Sequence, residues 1–278
     1  MNGPVLLTGA TGFVGRQVLN VLIANNIELR LVVREGKQDR VRTEKQIADI
    51  VVTPDLFSET QSWWAKVCKN IDTVIHVAWY VEPGQYLLSK KNFDCLRGTL
   101  SLIRACKEAG VRRFVGVGTC LEYDTNLGYL STQTPLKPET EYAMAKAKAF
   151  VQLSQYCDAN DIEFAWCRLF YLFGDGEDER RLVPYLRARL AAGKIAELTS
   201  GKQIRDFLDV KDAGKMIAAV VEGDQLGPIN ICSEIPTTVR ALAEKIADEY
   251  GRRDLLRFGA RPDSYADPPI VVGVRETS

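Results

Sequence analysis

The sequence predicts an α/β fold: a Rossmann-type, doubly wound parallel sheet with a smaller C-terminal substrate-binding lobe. Two observations carry this expectation. Short apolar runs of strand length alternate with helix-length amphipathic segments through the first two-thirds of the chain, the pattern of a parallel sheet covered on both faces. A glycine-rich turn, Thr8-Gly9-Ala10-Thr11-Gly12-Phe13-Val14-Gly15, joins the first apolar run to the first amphipathic segment. In such folds that turn is where a dinucleotide's pyrophosphate rests.

Residues 5–8 read as a buried strand, and residues 12–24 as a helix with Phe13, Val14, Val18, Leu19 and Leu22 on one side. Strands follow at 27–33, at 50–53 after a polar helix, and at 74–78. Residues 58–68 read as a helix in which Trp63 and Trp64 pack. The long segment 87–110 reads as a helix ending in Gly110, as a left-handed C-cap requires. A strand at 114–119, a helix at 141–159 and a strand at 163–170 continue the alternation. Beyond Gly174 glycine, proline and charge increase, and helices at 180–192, 213–222 and 239–250 are separated by short strands. We read residues 1–173 as the nucleotide-binding domain and 174–278 as the smaller lobe, intertwined with it.

Composition narrows the function classes. Lysine plus arginine and aspartate plus glutamate both total 36, so the formal net charge is zero. No basic excess points to nucleic acid or a membrane surface. The seven cysteines contain no CxxC pair, which reads as reduced thiols in a cytoplasmic protein rather than a disulfide framework or a zinc site. A single histidine, His76, disfavours a histidine-based metal centre. No signal peptide or membrane span is visible.

The glycine spacing is Gly-x-x-Gly-x-x-Gly. Glycine there permits a tight turn and lets backbone approach a pyrophosphate seated on the helix N-terminus, so Gly9, Thr11, Gly12, Phe13, Val14 and Gly15 are candidate cofactor contacts. This form resembles the short-chain dehydrogenase/reductase superfamily, particularly its extended branch, the NAD-dependent epimerase/dehydratase family. Further landmarks are Asp55-Leu56, His76-Val77-Ala78, Gly98-Thr99 and Arg205-Asp206-Phe207. The resemblance implies that Asp55 and Leu56 contact the adenine and that Val77, Ala78 and Trp79 line the cofactor. His76 itself reads as a packed residue at a strand end. The long helix departs from the family pattern, with Cys95 where an asparagine is usual. The second strand ends in Arg34, followed by Lys37. An acidic residue there would bind a ribose 2′-hydroxyl, whereas an arginine suits a 2′-phosphate. NADP(H) is therefore the favoured cofactor, with NAD(H) as the alternative.

Two Tyr-x-x-x-Lys matches occur, so the motif alone does not choose between them. Tyr86–Lys90 lies ahead of the fifth strand, where the family places no catalytic group, and reads as incidental. Tyr142 and Lys146 open the helix after the fifth strand, and four-residue spacing puts both on one helix face. A phenol ionises near about pH 10 unless a cation stands beside it, a role that suits Lys146. Tyr142 would then exchange a proton with a carbonyl or alcohol oxygen. Thr119, at the carboxyl end of the fifth strand, resembles the family's hydroxyl residue that bonds the reacting carbonyl.

Within the branch, dehydratases carry carboxylates just after that hydroxyl residue. Here Cys120 and Leu121 follow Thr119, and Glu122 is a poorly placed substitute. Residues 118–124 and 168–174 resemble the nucleotide-diphospho-6-deoxyhexose 4-keto reductases of surface-polysaccharide pathways. That implies a nucleotide-diphosphate sugar substrate, with Arg205 and Arg261 as phosphate candidates, Leu182 and Val183 bordering the nucleotide, and Tyr171 in place of a frequent asparagine. The rival readings are an epimerase with tightly bound NAD and a catalytically silent NADP-binding regulator. Relatives often dimerise through the two long helices, so a homodimer is expected.

Overall fold

Alternation within each strand decides which side chains meet which layer. The computed structural model of the chain describes residues 3–264 and 267–275. In chain order the elements are β1 (Val5–Thr8), α1 (Phe13–Ala24), β2 (Leu29–Arg34), β3 (Ile47–Thr53), α2 (Gln61–Val67), β4 (Thr73–His76), α3 (Lys91–Ala109), β5 (Arg113–Thr119), β6 (Tyr129–Leu130), α4 (Glu141–Asp158) and β7 (Glu163–Leu169). There follow β8 (Tyr171–Phe173), α5 (Leu182–Ala191), β9 (Ala196–Glu197), β10 (Ile204–Asp209), α6 (Val210–Glu222), β11 (Gly227–Ile231), β12 (Pro236–Thr238), α7 (Val239–Glu249), β13 (Leu256–Arg257) and β14 (Ile270–Gly273).

A seven-stranded sheet in the order β11-β7-β5-β4-β1-β2-β3 is parallel throughout. Leu7, Leu31, Ile75, Val115 and Cys167 face α1 and α6, where Val18, Leu22, Ile217 and Val221 complete one core. Their strand neighbours Leu6, Val32, Val74, Phe114 and Trp166 face α2, α3 and α4, where Trp64, Leu102, Cys106, Leu153 and Cys157 complete the other. Successive residues of one strand thus serve opposite layers, as the period of two dictates. The doubly wound sheet expected from the sequence is the observed architecture.

The second lobe is built from a smaller sheet, β12-β10-β14-β6 with β8 on β10, and from α5, α7, β9 and β13. Its core joins Val183, Leu186 and Leu190 of α5 to Leu242 and Ile246 of α7. Residues 174–278 do not all belong to it. The α6–β11 segment returns to the large sheet, where β11 pairs with β7 and α6 packs on α1. The apolar face of α6, with Ala213, Ile217 and Val221, is buried there.

Two local expectations are corrected. No polar helix precedes β3; residues 35–46 hold only a 3-10 turn at Gln38–Arg40, and β3 begins at Ile47. The long helix begins at Lys91 rather than at 87, because Tyr86–Leu88 forms a 3-10 turn and Ser89 is extended. Leu87 and Leu88 are exposed, so burial does not recruit them to the helix. All seven cysteines are free and buried. Among the described residues, no helix is long and apolar enough to cross a membrane, and no cluster of metal-binding side chains occurs.

Asp206 ties the lobes together. Its carboxylate is fully buried and accepts from Ser233 N and Oγ (both 2.7 Å), Glu234 N (2.9 Å) and Gly273 N (3.2 Å). Removing it leaves several buried donors unpaired, each costing about 1–3 kcal/mol. Asp206→Ala is therefore expected to lower unfolding stability by about 3 kcal/mol or more in a urea titration. A loss below about 1 kcal/mol would show that these amides find other partners.

Candidate active site

Strand order sets the location. From β1 the chain winds one way to β2 and β3, then crosses back to β4, so a crevice opens between the carboxyl ends of β1 and β4, where doubly wound folds bind ligands. Gly9 leaves β1 at φ 78°, and a Cβ there would lie 2.7 Å from Ala78 N. A Cβ on Gly15 would lie 2.1 Å from the Gly9 carbonyl oxygen. Both contacts press the turn against α1 and against the segment after β4. Gly12 caps α1 without any side-chain bond, and the first intrahelical bond runs from Arg16 N to Gly12 O (3.1 Å). The preceding amides, of Phe13, Val14 and Gly15, carry the positive end of the helix dipole. This cradle of bare backbone fits a dinucleotide's pyrophosphate.

The other cofactor candidates surround it. Arg34 is exposed at the end of β2 and makes no ion pair among the described residues. Asp55 is exposed, but its carboxylate closes its own turn, accepting from Phe57 N (3.0 Å) and Ser58 Oγ (2.8 Å). Leu56, Val77, Ala78 and Trp79 are half-buried along the same edge. Thr11 lies on the glycine turn itself.

His76 is locked by hydrogen bonds. The Thr99 hydroxyl spends its proton on Cys95 O (2.8 Å) and so accepts from His76 Nε2 (2.9 Å). Nδ1 then accepts from the Thr8 hydroxyl (2.9 Å), which itself accepts from Ala78 N. Burial, reinforced by Lys146, holds the imidazole pKa down at about 3. The neutral ring is a brace between β1, β4 and α3.

Thr119, Tyr142 and Lys146 are brought together. Thr119 ends β5, close enough for its side chain to lower the pKa of Tyr142, which lies in the first turn of α4. The α4 N-terminus is capped by Thr140, which accepts from Ala143 N (3.2 Å). Burial pushes the Tyr142 phenol above its usual range; Tyr86 and Glu122 add to this, and the Thr119 side chain opposes it.

The Lys146 amine departs from expectation. It donates to Val117 O (2.5 Å) and sits 3.7 Å from the centre of the Trp79 ring. No hydrogen bond joins it to Tyr142 in this structure. Burial pulls its pKa down to about 7, against the opposing influence of Glu122 and Cys95. Desolvation is the largest influence on both groups.

Glu122 is not free to act on a ligand. Its carboxylate accepts from Arg168 Nε (2.7 Å), Thr119 N (2.8 Å) and Trp166 Nε1 (3.1 Å to each oxygen), with both charged side chains buried. Arg168 continues to the Tyr123 hydroxyl (2.9 Å), which donates to Asn230 Oδ1 (2.8 Å). Burial pushes the Cys120 thiol up to about 12, reinforced by Glu122.

Sequence reasoning missed Tyr86. Its ring meets that of Tyr142 edge-to-face, 4.9 Å between centres and 84° between planes. The only signal was the second Tyr-x-x-x-Lys match, which pointed to the wrong partner.

The expected substrate contacts are spread over the second lobe. Tyr171 is in β8, with the Arg205 guanidinium 5.3 Å from its ring. Arg205 is buried and paired with Asp267 (2.6 Å), so its charge is already met. Arg261 stacks on Tyr185 at 4.9 Å and donates to its hydroxyl (3.2 Å). Leu182 and Val183 open α5; Val183 faces the lobe's core and also lines a cavity of about 780 Å³ with Phe173, Glu177, Pro184 and Asp209. None of the Thr119–Tyr142–Lys146 trio lines that cavity.

Comparison with known proteins agrees with this geometry. The chain is 22% identical to a dTDP-6-deoxy-L-talose 4-dehydrogenase (NAD(+)) of Aggregatibacter actinomycetemcomitans, over 98% of this chain and 99% of that protein. Its fold superposes on a UDP-N-acetylglucosamine 4-epimerase from Methanobrevibacter ruminantium with a TM-score of 0.85, at 21% identity, covering 98% of this chain and 89% of that one. A double mutant of the dTDP-glucose 4,6-dehydratase from Streptomyces venezuelae, solved with NAD bound, gives 0.81 at 21% identity, covering 98% and 88%. Residues 5–232 match the model of one family, and the chain belongs to it: the NAD dependent epimerase/dehydratase family.

Proposed function

We propose that this chain is an oxidoreductase that reduces the 4-keto group of a nucleotide-diphospho-6-deoxyhexose with NADPH. One observation carries the reading. Thr119, Tyr142 and Lys146 converge at the end of β5, while Glu122, the first carboxylate after Thr119, is sealed against Arg168. Dehydration of a sugar needs a free acid–base group beside the redox trio, and Glu122, Cys120 and Leu121 do not supply one. Reduction needs only a hydride and one proton. The relative named as a 4-dehydrogenase supports redox chemistry at that carbon of a 6-deoxy sugar nucleotide.

The glycine turn and the α1 N-terminus would hold the pyrophosphate, and the nicotinamide would supply the hydride. Thr119 orients the carbonyl oxygen, and the protonated Tyr142 delivers the proton to it. As Tyr142 becomes a phenolate, Lys146, poised at about 7, takes up a proton from solvent, so the buried pair stays neutral. Arg205, released from Asp267, and Arg261 are the phosphate partners in this reading. Arg34, free and exposed, favours the 2′-phosphate of NADPH; NAD(H) is the second reading, supported by the NAD(+)-dependent relative. We extend the proposal to a homodimer through α3 and α4, which pack side by side; solution mass by light scattering tests it.

With a nucleotide 4-keto-6-deoxyhexose, one NADPH is expected to be consumed per ketone; isomerisation without net consumption would sink the reductase reading. Tyr142→Phe is expected to lower kcat by about 10²–10⁴-fold while sparing NADPH affinity. Arg34→Glu should lower kcat/KM for NADPH by about tenfold or more and leave NADH largely unaffected, and an unchanged ratio would remove Arg34 from cofactor choice.

Lys146 gives a pH signature. Between about 7, its folded value, and its ordinary 10.5, the folded protein binds fewer protons than the unfolded chain. This group therefore adds stability as pH rises through that window and costs stability below it. Lys146→Met is expected to raise the cofactor-free Tm more at pH 6 than at pH 9. Equal shifts at both pH values would show that the amine is not desolvated.

A further inference from the structure

Tyr86 is absorbed by neither the trio nor the cofactor cradle, yet it lies against the reacting tyrosine. Its ring packs edge-to-face on Tyr142 at 4.9 Å, a geometry that aromatic quadrupoles favour. The residue is half-buried, and its hydroxyl has no hydrogen-bond partner among the described residues. Lys90, four residues on, is no partner for it: the 3-10 turn and extended Ser89 break helical spacing between them.

The turn that carries Tyr86 is anchored rather than loose. Asn92 is fully buried at the start of α3, and its Nδ2 donates to Tyr86 O (2.6 Å) and Ser89 O (2.8 Å). Its Oδ1 accepts from Trp79 Nε1 (2.8 Å), and the Trp79 ring lies under the Lys146 amine. One buried amide thus anchors the backbone that carries Tyr86, against Tyr142, and the Trp79 ring, against Lys146. Such anchoring keeps a side chain within the tight tolerance that a reacting group needs.

We propose that Tyr86 is a second active-site tyrosine, whose ring holds Tyr142 in position and whose hydroxyl bonds a hydroxyl of the bound hexose. A phenol both donates and accepts, which matches the hydroxyls flanking the reacting carbon of a hexose. An unpaired phenol beside Tyr142 is available to a ligand at no cost of breaking an internal bond. The substrate class rests on the function proposed above; the position of Tyr86 against Tyr142 does not.

The test uses the NADPH-loaded wild type, Tyr86→Phe and Tyr86→Leu. Calorimetry measures binding of dTDP and UDP, and of dTDP-glucose and UDP-glucose, which carry no ketone to reduce. Tyr86→Phe is expected to weaken the preferred nucleotide hexose by about tenfold and to leave the bare diphosphate within about twofold. Tyr86→Leu is expected to show the same binding loss and a several-fold faster nitration of Tyr142 by tetranitromethane, mapped by mass spectrometry, with NADPH affinity unchanged. Equal hexose affinity in wild type and Tyr86→Phe overturns the contact, and so does a wild type that binds neither nucleotide hexose. Unchanged nitration in Tyr86→Leu overturns the positioning role. A wild type that binds the nucleotide hexose but reduces no 4-keto sugar overturns the reductase reading and leaves Tyr86 to be judged by binding and nitration.

Discussion

The buried Glu122–Arg168 pair is the constraint from which the site's organisation follows. Both side chains are withdrawn from water, which is costly unless each polar atom finds a partner. The Glu122 carboxylate meets this demand by taking the Thr119 amide, the Trp166 indole and the Arg168 guanidinium together. The end of β5 is thereby fixed to β7. Through Tyr123 and Asn230 the same network reaches Leu130 O and Val274 O, beside the small sheet of the second lobe. The position of the Thr119 hydroxyl is thus set by charges that never touch solvent. Their pairing also withdraws the nearest carboxylate from chemistry and leaves proton transfer to Tyr142.

Desolvation governs the trio in a second way. Burial raises the Tyr142 phenol above its usual range and lowers the Lys146 amine to about 7, so each is pushed toward its neutral form. The amine settles on Val117 O and the Trp79 ring, where a neutral or a charged nitrogen is tolerated. Charge separation across Tyr142 and Lys146 then depends on what enters the crevice.

The lobes are interleaved because each supplies what the other lacks. The large sheet would present an open edge at β7 without β11, and α1 would lose the α6 surface that covers it. The chain therefore leaves the first layer at β8, lays down β10, returns with α6 and β11, and leaves again for β12 and β14. Asp206 marks the crossing, since one carboxylate on β10 gathers amides from the segment after β11 and from β14.

Much was legible in the sequence because local chemistry demanded it. Apolar runs of strand length between helix-length segments marked a sheet covered on both faces, and the glycine spacing marked the close approach of α1 to Gly9, where a single Cβ would collide with backbone. The spacing of Tyr142 and Lys146 on one helix was equally local. Only tertiary structure decided what those residues face. Four-residue spacing puts two side chains on one helix face, but burial, the Val117 carbonyl and the Trp79 ring decided where the amine points. The pairings of Glu122 with Arg168, Tyr86 with Tyr142 and Arg205 with Asp267 join residues far apart in the chain, and no local period encodes them. The same holds for the return of α6 and β11 to the large sheet, since an apolar helix face specifies that it be covered and not by which neighbour.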